Sequence, residues 1–370
     1  KRRIFNLGVN YNITEKLNLL LNINYADENN INPPQIGTQG EGAVNFFNRM
    51  PISVPIEAYR DHAIDPVTGA EWKTNGFLGT VNNPFYQLQK GQFFREQRNR
   101  LLGTATLRYQ FTDWLYAQGR FNYDNGRVFT EFNTLNGAGS ATLFNGDNTY
   151  RGSYNLNQTF TTDINADFLV GGNKRFGKFS VDASFGGKTL RTKWQNHNQT
   201  ATNFTVPDLY SIANGTQRTQ SYNFSRSRIN SLYGLAEFGF NEMIFVNLTG
   251  RNDWFSVLNP EKNSKFYPSI SGSFIFSELL KKLTWLSYAK LRASWAQVGS
   301  VNGVNPYEGV LTYTFNQNQF NGQTLASISG NNAPNPLLQS FTVTEKEIGL
   351  EVRLFNSRLL LDVAAFDKVT

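Results

Sequence analysis

The 370-residue chain has no cysteine, no long apolar run, only two histidines and only 17% charged residues. Each shortage excludes something. Without cysteine there is no disulfide framework and no thiolate metal site, which suits passage through an oxidising periplasm. A helix that spans a bilayer needs about 18 or more mostly apolar residues, and no such stretch occurs. His62 and His197 lie far apart with no partner spacing, so neither metal binding nor imidazole acid–base chemistry is indicated. The net charge is +7, from 35 Lys and Arg against 28 Asp and Glu. These charges are scattered and form no stripe or basic tail, which argues against a nucleic-acid partner.

Aromatic residues, by contrast, are plentiful at 14% of the chain, within a hydrophobic content of 39%. A mean hydropathy of −0.43 reads as soluble for a helical protein. A transmembrane barrel escapes that inference, because its strands show lipid only every second side chain. The chain opens Lys1-Arg2-Arg3 and passes straight into an alternating segment, with no apolar signal-peptide core. The expectation is a piece of a longer polypeptide, incomplete at both ends.

Period-two alternation recurs along the chain in segments near the roughly ten residues that a tilted membrane strand needs. Phe5, Leu7, Val9 and Tyr11 alternate with Asn6, Gly8 and Asn10. After a turn, Leu17, Leu19, Leu21, Ile23 and Tyr25 alternate with Asn18, Asn22 and Asn24. The same pattern returns at 101–111 and 115–123, at 154–170 and 179–185, at 232–240 and 244–250, at 267–276 and 289–295, and at 348–354 and 359–365. Residues 277–286 read as a helical turn or two. The fold class is therefore all-β: an antiparallel transmembrane β-barrel of about twelve strands in six hairpins, forming one domain over 1–370. Long loops are expected near 26–97, 124–152, 195–228, 255–266 and 300–341, facing outside, with short turns facing the periplasm. Backbone groups left unpaired in hydrocarbon are too costly, so strands cross a membrane only in a closed sheet. Loops this long fit a barrel wider than twelve strands.

Several residues are candidates for contact. Arg251, Asp253 and Trp254 sit where a strand leaves the membrane, and a charged pair beside an aromatic suits a sugar or peptide. The plainer reading is an interfacial girdle residue beside a local ion pair. Trp72, Phe85, Tyr86, Tyr307 and Tyr313 fall in long loops, where aromatics bind glycan or simply pack the loop; Phe77 is a further aromatic of the first loop and is not a candidate. Asn18, Asn22 and Asn24 are expected to face the lumen. The stretch Asn136-Gly-Ala-Gly-Ser140 lacks the strand and helix of a phosphate cradle and reads as connecting loop. No catalytic constellation, cofactor fingerprint or metal site emerges.

Leu248-Thr-Gly-Arg-Asn-Asp-Trp-Phe-Ser256, followed by Asn263-Ser-Lys-Phe-Tyr-Pro-Ser-Ile-Ser271, resembles the SusC/RagA class of TonB-dependent outer-membrane transporters. Lys290-Leu-Arg-Ala-Ser-Trp-Ala-Gln-Val-Gly299, Asn335-Pro-Leu-Leu338, Glu345-Lys-Glu-Ile-Gly-Leu-Glu351 and Leu354-Phe-Asn-Ser-Arg-Leu359 follow in the order and spacing of that class, and Val206-Pro-Asp-Leu-Tyr210 extends the likeness upstream. One departure is Leu338-Gln-Ser-Phe341, where the family usually carries an acidic residue. The resemblance implies a barrel of about twenty-two strands, an amino-terminal plug that this sequence does not contain, a SusD-like surface lipoprotein, energy from TonB, and a possible dimer of transporter–lipoprotein pairs in outer-membrane lipid. The activity it implies is active import of a bulky nutrient, a glycan or a peptide. A passive porin-type barrel, an outer-membrane enzyme barrel and a structural or assembly scaffold are the alternatives.

Overall fold

In the computed structural model the described residues are 1–33, 43–72, 83–138, 151–330 and 333–370. Twelve strands form one antiparallel sheet: β1 Arg2–Asn12, β2 Leu17–Ile31, β3 Phe94–Gln110, β4 Leu115–Thr134, β5 Ser153–Phe176, β6 Phe179–Phe204, β7 Gly215–Phe240, β8 Ile244–Phe255, β9 Ser264–Ile275, β10 Leu286–Ser300, β13 Phe341–Leu354 and β14 Leu359–Val369. Strands adjacent in this series pair with each other, so the sheet is an up-and-down meander. A separate hairpin, β11 Tyr313–Phe320 with β12 Gln323–Ile328, lies in the connection between β10 and β13.

Register gives the sheet its two faces. Phe5, Leu7 and Val9 pair with Tyr25, Ile23 and Leu21, which pair in turn with Leu101, Gly103 and Ala105. Asn6, Gly8 and Asn10 pair with Asn24, Asn22 and Leu20 on the other face. The same apolar row continues through Phe121, Phe168, Leu232, Leu248, Ile270, Leu291, Ile348 and Val363, all of them exposed large side chains. So many exposed large apolar groups on one face would be a severe liability in water and are what a bilayer accommodates.

Short connections close the lower end. The turns at 13–16 and 111–114 use the same device: Thr14 Oγ1 accepts from the Leu17 amide at 3.0 Å and Thr112 Oγ1 from the Leu115 amide at 3.1 Å. Each hydroxyl adds to a longer bond from the same amide to the threonine's own carbonyl, at 3.3 and 3.4 Å, a side-chain brace common in tight turns. Asn241 and Glu242, and Phe355 to Ser357, enter the left-handed region in two further tight turns. Residues 276–285 begin with a 3-10 turn, Phe276–Leu279, in keeping with the helical reading of that stretch.

The loop boundaries differ from the sequence expectation. The connections expected at 26–97, 124–152, 195–228, 255–266 and 300–341 run over 32–93, 135–152, 205–214, 256–263 and 301–340. The cause is strand length: β5, β6 and β7 have 24, 26 and 26 residues, far beyond the roughly ten needed to cross lipid. Above the membrane both faces meet water, so alternation stops while the hydrogen-bond ladder continues. His197 accordingly lies in β6, between the rings of Phe160 and Tyr222, and not in a loop.

Gly299 shows how tightly the upper rim is packed. A Cβ there would collide with the Phe341 carbonyl oxygen and with the Tyr267 ring. Gly299→Val therefore forces backbone apart between β10 and β13. The expected outcome is faster proteolysis of the 301–340 connection and a lowered thermal midpoint of the barrel; unchanged cleavage and midpoint would show that the contact is dispensable.

Candidate functional site: the polar wall and the extracellular cap

The polar face presents amides and ion pairs. Asn18 donates to Asn10 and Asn12, both at 2.7 Å, and Asn24 donates to Asn6. Asn22, opposite Gly8, is exposed. These three asparagines share the face that a membrane barrel turns to its interior. Farther round, Arg100 holds Asp124 with two hydrogen bonds and Arg120 holds Asp167 at 2.9 Å. Arg292 bridges Glu347 at 3.2 Å and Asp362 at 2.9 Å, joining three strands.

Between the first two ion pairs lies the least satisfied part of the wall. Asp124 is directly opposite Asp163, and Asn122 opposite Asn165. Asp163 Oδ1 and Asn165 Oδ1 are buried without a hydrogen-bond partner. An unsatisfied buried acceptor costs about 1–3 kcal/mol. Sequence alternation places these residues inward, but nothing in it signals the missing partners.

The trio Arg251, Asp253 and Trp254 does not converge. Arg251 Nε meets Asp253 at 2.7 Å and its Nη2 donates to Ser231 at 3.0 Å, on the polar face. Trp254 pairs with Asn230 on the opposite, lipid-side face. Successive side chains along a strand point to opposite sides, so adjacent residues cannot share a ligand. Asp253 is buried, and the pair is built into the wall.

Around the same strands, the motifs quoted above assemble a rim cluster. Phe255, Leu258 and Tyr267 are buried together, with Ile229, Val257, Val301, Val304 and Leu338 packed against them. Tyr267 donates to Ser340 at 3.1 Å and Asn259 to the Pro336 carbonyl at 3.2 Å. The recurring sequence thus fastens two extracellular connections to the barrel.

A second structure above the sheet is a cap made from three connections. Within 32–93 are three short helices, α1 Ala43–Arg49, α2 Ile56–Asp61 and α3 Pro84–Lys90. Asn83 caps α3, accepting from the Phe85 amide at 3.0 Å; Pro84 fills its first turn, and Gly91 ends it at φ 70°. Tyr59 and Phe46 form one buried cluster with Trp72 against it; Tyr86, Ala63, Leu135 and Ala138 form another. Tyr86 donates to the Asn136 carbonyl at 2.6 Å, linking the first connection to the second. Burial, reinforced by Glu71, pushes its phenol pKa up. Tyr210, in the third connection, packs with Phe93 and Phe204.

Trp72, Phe85 and Tyr86 are therefore cap core and not open platforms. Phe77 and the end of the 136–140 stretch lie outside the described residues. His62 sits 6.2 Å from the Trp72 ring. Tyr307 and Tyr313 are the open aromatics, 77% and 60% exposed. Tyr307 borders a groove of about 390 Å³ with Glu308, Val310, Ala333 and Leu338. Beyond it stands the β11–β12 hairpin, with Phe315 and Phe320 exposed. Its turn, Asn321-Gly322 at φ 50° and 74°, is a strong short-range hairpin signal that the reading of 300–341 as loop overlooked. Among the described residues no group of His, Asp and Glu is placed to hold a metal ion.

A sheet with one apolar, exposed face and one polar, ion-paired face is the wall of an outer-membrane β-barrel. Residues 57–370 match the family model described as TonB dependent receptor-like, beta-barrel, and the chain belongs to that family. It is 23% identical over 398 residues to TonB-dependent receptor P26 of Formosa agariphila, an alignment covering 100% of this chain and 36% of that protein. Among solved structures it is similar to the RagAB peptide importer, with a TM-score of 0.80 and 16% identity over 99% of this chain and 40% of that one. It is also similar to the ferric-catecholate import receptor Fiu of E. coli K12, at a TM-score of 0.56 and 14% identity over 99% of this chain and 51% of that one. The twelve strands are thus part of a larger barrel, and the chain spans about two fifths of the RagAB chain's length. The RagAB likeness agrees with the SusC/RagA motifs.

Asn83 tests whether the cap is one unit. Its amide group donates to the Tyr59 carbonyl at 3.0 Å as well as capping α3, so Asn83→Ala removes two buried hydrogen bonds, worth about 1 kcal/mol each and more where a partner is left bare. Hydrogen exchange should quicken across 56–72, 84–93 and 135–138 together, with the barrel strands unchanged. Quickening confined to α3 would show three independent loops.

Proposed function

We propose that the full-length protein imports a bulky polar nutrient, a glycan or a peptide, across the outer membrane, drawing on TonB for energy and on a SusD-like surface lipoprotein for capture. The observation that carries this reading is the polar wall: amides and charged pairs run around the inward face. Such a surface suits a cargo with many hydroxyls or amides, which replaces water hydrogen bonds one for one as it passes. The likeness to the RagAB peptide importer supports a cargo of this size and a two-component assembly. No covalent chemistry is involved in this reading.

The β11–β12 hairpin supports the partner. An isolated two-stranded hairpin is marginal in water, and this one exposes Tyr313, Phe315, Phe320 and Ile328. A lipoprotein seated over the barrel would cover these side chains. A siderophore receptor is the second reading, favoured only by the likeness to Fiu.

Two measurements test the proposal. Uptake of a labelled oligosaccharide or peptide library by cells carrying the full-length protein should stop when TonB is deleted; uptake that persists without TonB means a passive pore. Co-purification of the lipoprotein should fall when Phe315 and Phe320 are both changed to Ser, while barrel yield stays constant. Undiminished co-purification places the partner elsewhere.

A further inference from the structure

Strands β5, β6 and β7 carry an arrangement that import does not explain. On the lipid-side face, Phe168, Ala166, Ile164 and Thr162 of β5 pair with Gly187, Thr189, Arg191 and Lys193 of β6. These pair in turn with Leu232, Asn230, Arg228 and Arg226 of β7. Arg191 is therefore directly opposite Arg228, and Lys193 directly opposite Arg226. Like charges opposed across an antiparallel pair repel each other and destabilise it. None of the four belongs to an ion pair among the described residues. Arg191, Arg226 and Arg228 are exposed, and Lys193 is half-buried.

Their height on the barrel is fixed by the same register. Trp254 pairs with Asn230, one same-face step below Arg228. Tryptophan concentrates at the membrane–water interface. One same-face step is two residues, about 7 Å along a strand, so the four cations occupy the layer just outside the hydrocarbon, where lipid headgroups lie. Because they are on the side of the long connections, that layer belongs to the outer leaflet. Immediately below them is a groove of about 600 Å³ bordered by Phe168, Gly187, Leu232, Thr189, Asn230 and Trp254. Four unneutralised cations stand above, and an apolar furrow runs below.

We propose that this face is a binding site for a phosphorylated glycolipid of the outer leaflet, with its phosphates between the opposed Arg and Lys side chains and an acyl chain in the furrow under Trp254. Phosphate neutralises both like-charged pairs at once, through charge-assisted hydrogen bonds that guanidinium groups make in a fork. The bound lipid then acts as a stabilising ligand of the folded barrel. The site depends on the barrel's orientation in the membrane and is independent of what the lumen carries.

The test uses the full-length protein, purified in detergent and stripped of lipid, with thermal unfolding followed as lipid is added back. A bisphosphorylated lipid A should raise the midpoint in proportion to its concentration, and the fully dephosphorylated lipid should do so far less. The variant Arg191→Gln, Lys193→Gln, Arg226→Gln, Arg228→Gln should lose the response while being at least as stable as the parent in the absence of lipid, because the repulsion is gone. The charge-keeping variant Arg191→Lys, Arg226→Lys, Arg228→Lys loses the fork but keeps the charge and should retain a weakened response, clearly above that of the glutamine variant, which separates lost charge from misfolding. Equal response to the dephosphorylated lipid, full protection by inorganic pyrophosphate alone, or a glutamine variant that still responds would each overturn the proposal. So would a glutamine variant less stable than the parent without lipid.

Discussion

Everything in this molecule depends on one requirement: in hydrocarbon, each backbone N–H and C=O must find a partner within the sheet. Adjacent strands meet that requirement by pairing residue by residue over long continuous registers, as in β5 with β6 from Ser153–Thr202 to Phe176–Phe179. Once the ladder is fixed, so are the faces, because a slip of one residue would turn every lipid-side group inward. Leu21, Phe121, Phe168 and Leu248 face lipid for the same reason that Asn22, Asn122, Asp167 and Asn247 face the interior. Among the described residues the edge strands β1 and β14 each have a single neighbour in the sheet.

The ladders also explain what happens outside the membrane. β5, β6 and β7 continue well past the lipid, and their upper ends become the floor on which the cap rests. Tyr154 and Phe204 of these extensions are buried with Ala201, and Phe93, Tyr210 and Ile212 pack against them. The capping hydrogen bonds of Asn83, the link from Tyr86 to Asn136 and the rim cluster around Tyr267 fasten the neighbouring connections. Much of the extracellular surface is therefore ordered by buried aromatics, while the β10–β13 connection leaves Tyr307, Tyr313, Phe315 and Phe320 exposed.

Period-two patterning made the barrel class and the twelve strands of the sheet readable, because alternation is the direct imprint of lipid on one side and water on the other. It failed where that contrast vanishes. Residues 195–204 and 215–228 are strand, yet both faces are polar above the membrane, so they read as loop. The pairing of Arg251 with Asp253 was legible from spacing, since residues two apart share a face, and the same rule excludes Trp254 from their company. Trp72 and Tyr86 were legible as aromatic but not as buried: their partners Tyr59 and Asn136 are distant in sequence, and only the folded cap brings them near. Of the motifs that carry the family resemblance, those at 248–256, 263–271 and 335–338 contribute residues that lock the rim. This is why they reveal the family and not the cargo.

The absence of cysteine allows the two-faced wall to be tested residue by residue. Single cysteines at Leu21, Asn22, Phe121, Asn122, Phe168, Asp167, Leu248 and Asn247 of the full-length protein in lipid bilayers, each carrying a spin label, report exposure to a lipid-soluble and a water-soluble relaxing agent. The account predicts that labels at Leu21, Phe121, Phe168 and Leu248 respond to the lipid-soluble agent and those at their neighbours do not. Similar responses from both members of each pair would contradict it.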